Sequence, residues 1–154
     1  MLNKLDHTAI LVQPGMLALV LSLFCADERN DGVFSGWEKE KYEINADWGI
    51  VRFIRSGGFR LQLTENVVEN NTPYEILPGV HIAMKVENTQ AALEELFSWS
   101  KHNGVTIEDD DVEFLPGDKI LVALPKVLAL RIELVPGLEP IADWCNDLRK
   151  RLGH

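Results

Sequence analysis

One stretch of this chain is written twice. Asp6-His7-Thr8-Ala9-Ile10-Leu11-Val12 and Val80-His81-Ile82-Ala83-Met84-Lys85-Val86 share the pattern x-His-x-Ala-x-x-Val at an offset of 74 residues. Arg60-Leu61-Gln62-Leu63 and Arg131-Ile132-Glu133-Leu134 share Arg-apolar-(Gln/Glu)-Leu at an offset of 71. Two short matches in the same order at nearly equal spacing are much harder to assign to chance than either alone. An internal repeat fixes architecture before any single motif does. The chain therefore reads as two copies of one unit, about 1–76 and 77–137, followed by a tail.

Each copy has the same layout. Residues 4–12 are apolar and β-branched, which predicts a strand, and Pro14 suits the first turn of a helix running to about residue 27. Strands are expected at about 36–45, 48–56 and 59–65, with Ser56-Gly57-Gly58 as a hairpin turn. In the second copy a strand at 79–87 precedes a helix capped by Asn88 or Thr89 and closed by Asn103-Gly104. Strands at about 105–114, 119–124 and 128–135 follow. Ile141, Trp144, Cys145 and Leu148 keep helical spacing and predict an amphipathic C-terminal helix within 138–154. The fold class is α+β: two tandem βαβββ modules forming a curved mixed sheet or cup, plus that helix, in a single domain over 1–154.

Alternation along a strand puts every second side chain on one face. His7 thus shares a face with Ala9 and Leu11, and His81 with Ala83 and Lys85. Arg60, Gln62 and Thr64 oppose Phe59, Leu61 and Leu63, and Arg131 and Glu133 oppose Leu130, Ile132 and Leu134. All the repeated polar positions turn away from the helix-packed side. Taken singly, each reads most simply as the wet side of an antiparallel sheet. Taken as four residues related by a repeat, two imidazoles and two oxygen donors suit a borderline divalent metal with positions left open for substrate.

With these residues in view, the chain resembles the vicinal oxygen chelate superfamily, which includes glyoxalase I, methylmalonyl-CoA epimerase, extradiol dioxygenases and bleomycin-resistance proteins. The resemblance covers about 4–135 and rests on the histidine of each first strand, on Arg-Leu-Gln-Leu-Thr-Glu-Asn at 60–66, on Pro-Gly-Val-His at 78–81 and on Arg-Ile-Glu-Leu at 131–134. It implies metal ligands at His7, Gln62, His81 and Glu133, a set similar to that of methylmalonyl-CoA epimerase or glyoxalase I. The metal would be Zn, Ni, Co, Mn or Fe. It also implies a metal-dependent lyase or isomerase that stabilises an enediolate from a small carbonyl or thioester substrate, with Glu133 as the catalytic base. Two departures stand out: Leu124-Pro125-Lys126-Val127 replaces the Asp-Pro-Asp-Gly turn common before the last strand, and the usual Phe-Tyr pair of the first helix is missing.

Two other readings use the same residues. His7, His81 and Glu133 alone form a two-histidine, one-carboxylate triad, the pattern of non-haem Fe(II) oxygenases, which points to an extradiol-type dioxygenase. A metal-free drug-binding protein would use the cup with aromatic stacking. Trp37, Trp48 and Trp99 are the candidates for that, although core packing is the simpler expectation for each.

Composition trims the list of partners. A net charge of -9, from 24 acidic against 15 basic residues, disfavours nucleic acid and anionic lipid. The apolar run Met16–Cys25 is too short to span a bilayer and reads as a buried helix. Two distant cysteines, Cys25 and Cys145, suit a reduced, cytoplasmic protein. The acidic run at 108–111 lacks an EF-hand register and reads as a solvated edge or loop. The expected partner is a small-molecule substrate, with module pairing within one chain or across a homodimer both open.

Overall fold

The computed structural model describes residues 6–26, 32–34, 36–137 and 153. The expected C-terminal helix and Cys145 lie outside the described residues.

Among them the order is β1 (Thr8–Leu11), α1 (Leu17–Phe24), β2 (Glu38–Ala46), β3 (Gly49–Ser56), β4 (Phe59–Asn66), β5 (His81–Val86), α2 (Thr89–His102), β6 (Val112–Leu115), β7 (Lys119–Ala123) and β8 (Arg131–Pro136). The strands form two four-stranded sheets, β1-β4-β3-β2 and β5-β8-β7-β6. In each, the first strand runs parallel to the last and the rest are antiparallel, so the two sheets are mixed and have the same topology. Neither is closed into a barrel. The predicted repeat is thus a structural one.

Apolar alternation sets which way each sheet faces. Leu61, Leu63, Ile132 and Leu134 are buried, as are Val20, Leu23 and Phe24 of α1 and Leu93, Leu96 and Trp99 of α2. These residues belong to a single hydrophobic cluster drawn from both modules. The modules also touch through polar contacts. Trp99 Nε1 donates to Ser22 Oγ at 3.1 Å between the helices. Val12 bridges Leu128, Gln13 N donates to Val127 O and Ala129 N to Leu11 O.

Gln13 secures this junction. It is 1% exposed, and its amide spans two segments far away in sequence. Nε2 donates to Tyr74 O at 2.7 Å and Pro125 O at 2.9 Å, while Oε1 accepts from Tyr74 N at 2.7 Å. One side chain therefore joins the end of β1, the linker between modules and the turn before β8.

Several elements differ from expectation for identifiable reasons. Pro14 sits in a turn instead of opening α1, because Gly15 adopts φ +80°, outside the helical region. The first turn of α1 takes its acceptor from elsewhere: Leu17 N donates to Glu65 Oε2 at 2.9 Å, placing a carboxylate at the positive end of the helix. For α2 the cap is Asn88, whose Oδ1 accepts from Ala91 N at 2.8 Å, while Thr89 Oγ1 donates to Asp118 O. The strand expected from 105 begins only at Val112. Asp109–Asp111 form a 3-10 turn locked by Glu108 N donating to Asp111 Oδ2 and Asp111 N to Glu108 O.

Trp99 is buried, and Trp37 packs edge-on against Phe24 with centroids 5.7 Å apart. Trp48 departs from core packing: it is 54% exposed at the β2–β3 turn. Phe59, expected behind the sheet, is exposed because it follows immediately on the Gly57-Gly58 turn.

Gly49 opens β3 opposite Asn66, with the β4 backbone close against its Cα. A Cβ there would lie 2.5 Å from Glu65 O and 3.1 Å from Asn66 Cα, both backbone atoms that cannot swing aside. Gly49→Ala should therefore lower stability by about 1–3 kcal/mol in urea melts, the usual range for overpacking. An unchanged midpoint would show that β4 yields easily there.

Candidate metal centre

The faces turned away from the helices carry the four repeated donors. Strand register fixes their neighbours: Ala9 and Phe53 flank Gln62, while Ala83 and Leu121 flank Glu133. His81 stands beside Arg131 at the start of β5, and His7 immediately precedes β1.

His7 and Gln62 are held in the same manner, with a nitrogen engaged and a lone-pair atom left over. His7 Nδ1 contacts Asp6 Oδ2 at 2.6 Å, which leaves Nε2 without a hydrogen-bond partner among the described residues. Gln62 Nε2 donates to Thr64 Oγ1 at 2.9 Å, leaving Oε1 as the free end of the amide. His81 Nδ1 lies 3.2 Å from Gly79 O, and its Nε2 lies 2.9 Å from Glu133 Oε2. The Glu133 side chain is 14% exposed against 42% for His81 and 36% for His7, and Lys119 Nζ approaches its other oxygen at 3.8 Å.

His81 poses a proton-counting problem. Both ring nitrogens face oxygen acceptors, yet a neutral imidazole has one N–H. With Nδ1 donating to Gly79, the Nε2 lone pair points at a carboxylate. The Nε2–H tautomer donates to Glu133 and leaves the longer Gly79 contact unmade, whereas the Nδ1–H tautomer leaves room for a cation between Nε2 and Oε2. An imidazole whose Nδ1–H is held by a backbone carbonyl or carboxylate is also how metal-binding histidines are oriented. The donor chemistry therefore fits a divalent ion. It fits in two halves, because among the described residues no three His, Cys, Asp or Glu side chains are grouped to hold a metal. His81 and Glu133 are brought together. His7 is held in a separate cluster on the first sheet.

That cluster escaped the sequence reading. Arg60 forks onto Glu40, Nε to Oε1 at 3.0 Å and Nη2 to Oε2 at 2.8 Å, and also gives Nη1 to Asp6 Oδ2 at 3.1 Å. Its guanidinium lies 4.1 Å from the centre of the Phe53 ring, against which His7 packs edge-on at 5.8 Å. Arg55 adds a second contact to Glu40. The hydrogen bond from His7, helped by Arg60, holds the Asp6 carboxyl below the usual range, and Arg60 with Arg55 does the same for Glu40. The position of Asp6 beside His7 was a usable signal. Glu40 offered none, since it sits where the β2–β3 register shifts between Lys39 and Glu43.

Two four-stranded mixed sheets of identical β-β-β order, each with its helix on one face and repeat-related donors on the other, decide the fold. It is the vicinal oxygen chelate fold. The solved structures that the chain resembles agree with this. A glyoxylase/bleomycin resistance protein/dioxygenase domain from Frankia sp. EAN1pec matches with a TM-score of 0.55 at 15% identity, covering 90% of this chain and 96% of that one. A mutant of the fosfomycin resistance protein FosX from Listeria monocytogenes, complexed with Mn(II) and 1S,2S-dihydroxypropylphosphonic acid, matches with a TM-score of 0.55 at 15% identity over 94% and 99% of the two chains. FosX from Mesorhizobium loti gives 0.50 at 14% identity over 94% and 99%. No protein-family model and no curated protein matches the sequence. The likeness is therefore one of fold. No helix among the described residues is long and apolar enough to cross a membrane.

Proposed function

We propose that this vicinal oxygen chelate chain is a metal-dependent lyase or isomerase of the glyoxalase type, acting on a small carbonyl or thioester substrate. The observation that carries the reading is the repeat-related placement of the four side chains: His7 and Gln62 each have one nitrogen engaged and a lone-pair atom left over, and His81 Nε2 lies 2.9 Å from Glu133 Oε2. His7, Gln62, His81 and Glu133 would hold the ion. The Mn(II) in Listeria FosX supports a divalent metal on this fold.

A bound divalent ion would supply Lewis-acid polarisation of the substrate's carbonyl oxygen. Glu133 is the base. Its half-buried carboxylate takes the proton from the carbon next to the carbonyl and returns it to the product.

Because the donors fall in two halves, the complete site is proposed to form between two copies, with His7 and Gln62 from one and His81 and Glu133 from the other. Mixing tests this directly. His7→Ala and His81→Ala proteins should each fail to take up metal. Unfolding them together and refolding the mixture should restore about one quarter of wild-type uptake, since half the dimers are mixed and each mixed dimer has one intact site. No restoration, with a monomer in solution, would overturn the two-copy site. Wild-type protein that takes up no divalent metal on soaking would overturn the enzyme reading in favour of a metal-free binding protein. Iron with oxygen-dependent turnover would replace it with the dioxygenase.

A further inference from the structure

We infer that Arg60 is a positioning residue for His7: it fixes the Asp6 carboxylate, which in turn holds the imidazole as the Nδ1–H tautomer with Nε2 outward.

Asp6 cannot do this alone. Its side chain is 74% exposed and adjacent to His7 in sequence, so a free carboxylate there would spend much of its time in water. Arg60 removes that freedom. The Arg60 side chain is only 19% exposed, and its guanidinium is clamped on three sides, by the two-pronged contact to Glu40, by the face of Phe53 and by Asp6. A planar fork can bind one carboxylate through two nitrogens and still offer a third N–H elsewhere, which a lysine cannot do. Asp6 Oδ2 is the shared atom, taking Arg60 Nη1 at 3.1 Å and His7 Nδ1 at 2.6 Å. The result is a chain of charges laid across the sheet from β2 over β3 to β4 and on to the residue before β1.

The second module provides an internal comparison. There the residue before the histidine is Val80, not an aspartate, and His81 Nδ1 is met by the main-chain oxygen of Gly79. Arg131, the counterpart of Arg60, has no carboxylate to brace at that position. Each histidine thus has its Nδ1 engaged, His81 by backbone and His7 by a side-chain relay that needs Arg60.

The inference rests on the reading of His7 as a metal donor only for its consequence, so its test separates the two. In metal-free protein labelled with 15N, the ring nitrogen shifts of His7 report tautomer populations at about pH 9, where imidazole is neutral. Wild type should be dominated by Nδ1–H. Arg60→Met should move the population toward Nε2–H and, on Mn(II) titration, weaken binding by about 10–100-fold, the usual cost of losing an outer partner. Should Arg60→Met fail to fold, Arg60→Gln should show the same tautomer shift. A His7 tautomer ratio unchanged from wild type in the folded variant overturns the inference. A clear tautomer shift in a protein that binds no Mn(II) even as wild type would sustain Arg60 as the positioning residue and defeat the metal reading instead.

Discussion

Replacing Gln13 with leucine should lower the unfolding free energy by about 2–5 kcal/mol. The side chain is the right size for the site, so little of the loss comes from packing. What it leaves behind is Tyr74 N, Tyr74 O and Pro125 O without the partners they have now. A buried polar group stripped of its partner costs about 1–3 kcal/mol, and three such groups bound the estimate from above because some regain water as the linker loosens. Against a typical total of about 5–15 kcal/mol this is large. Urea unfolding measures it, with the midpoint falling and the slope unchanged if the native state stays compact. Limited proteolysis should also cut sooner near Tyr74. A loss under about 0.5 kcal/mol would mean that the linker is held by something other than Gln13.

At the proposed metal centre, His81→Ala should abolish divalent metal uptake and leave the fold intact. The two consequences separate because the strand has two sides. Met84 is buried and Ile82 and Val86 pack against the core, whereas His81 faces the other way. Losing a donor removes a bond outright, so the loss should exceed the roughly 10–100-fold that removal of an outer partner costs. The complementary change is Gln62→Glu, which exchanges a neutral amide oxygen for a carboxylate beside Thr64 and should retain or tighten metal binding. Isothermal titration with Zn(II) or Mn(II), alongside circular dichroism, checks both. Unchanged uptake by His81→Ala, or complete loss in Gln62→Glu, would refute the ligand assignment.

The fold was legible in the sequence because a repeat and a two-residue alternation are local properties of the text. Strands β3, β4, β7 and β8 lie within a residue or a few of their expected bounds, as the buried sets Leu61 with Leu63 and Ile132 with Leu134 require. Where the reading slipped, a feature without periodicity decided the outcome: Gly15 with positive φ, the closed turn at 108–111, and the tip position of Trp48. For the donors, faces were legible and distances were not. Alternation placed Glu133 and His81 on one side, but the 2.9 Å between them depends on the parallel register of β5 on β8. The Arg60 relay was further out of reach, since it depends on a register shift in β2 that brings Glu40 to the guanidinium.

The contrast between Asp6 and Val80 bears on how such a protein can change. The two modules carry repeat-related histidines, and each engages the ring Nδ1 in its own way. Where a main-chain oxygen does the aiming, no point substitution can retune it without moving the backbone. Where the aim passes through Asp6, Arg60 and Glu40, three codons control it. On the proposed reading of these residues as metal ligands, selection for a different ion or substrate would find its room for adjustment in the first half of the gene, and libraries built to redirect this scaffold should be concentrated there.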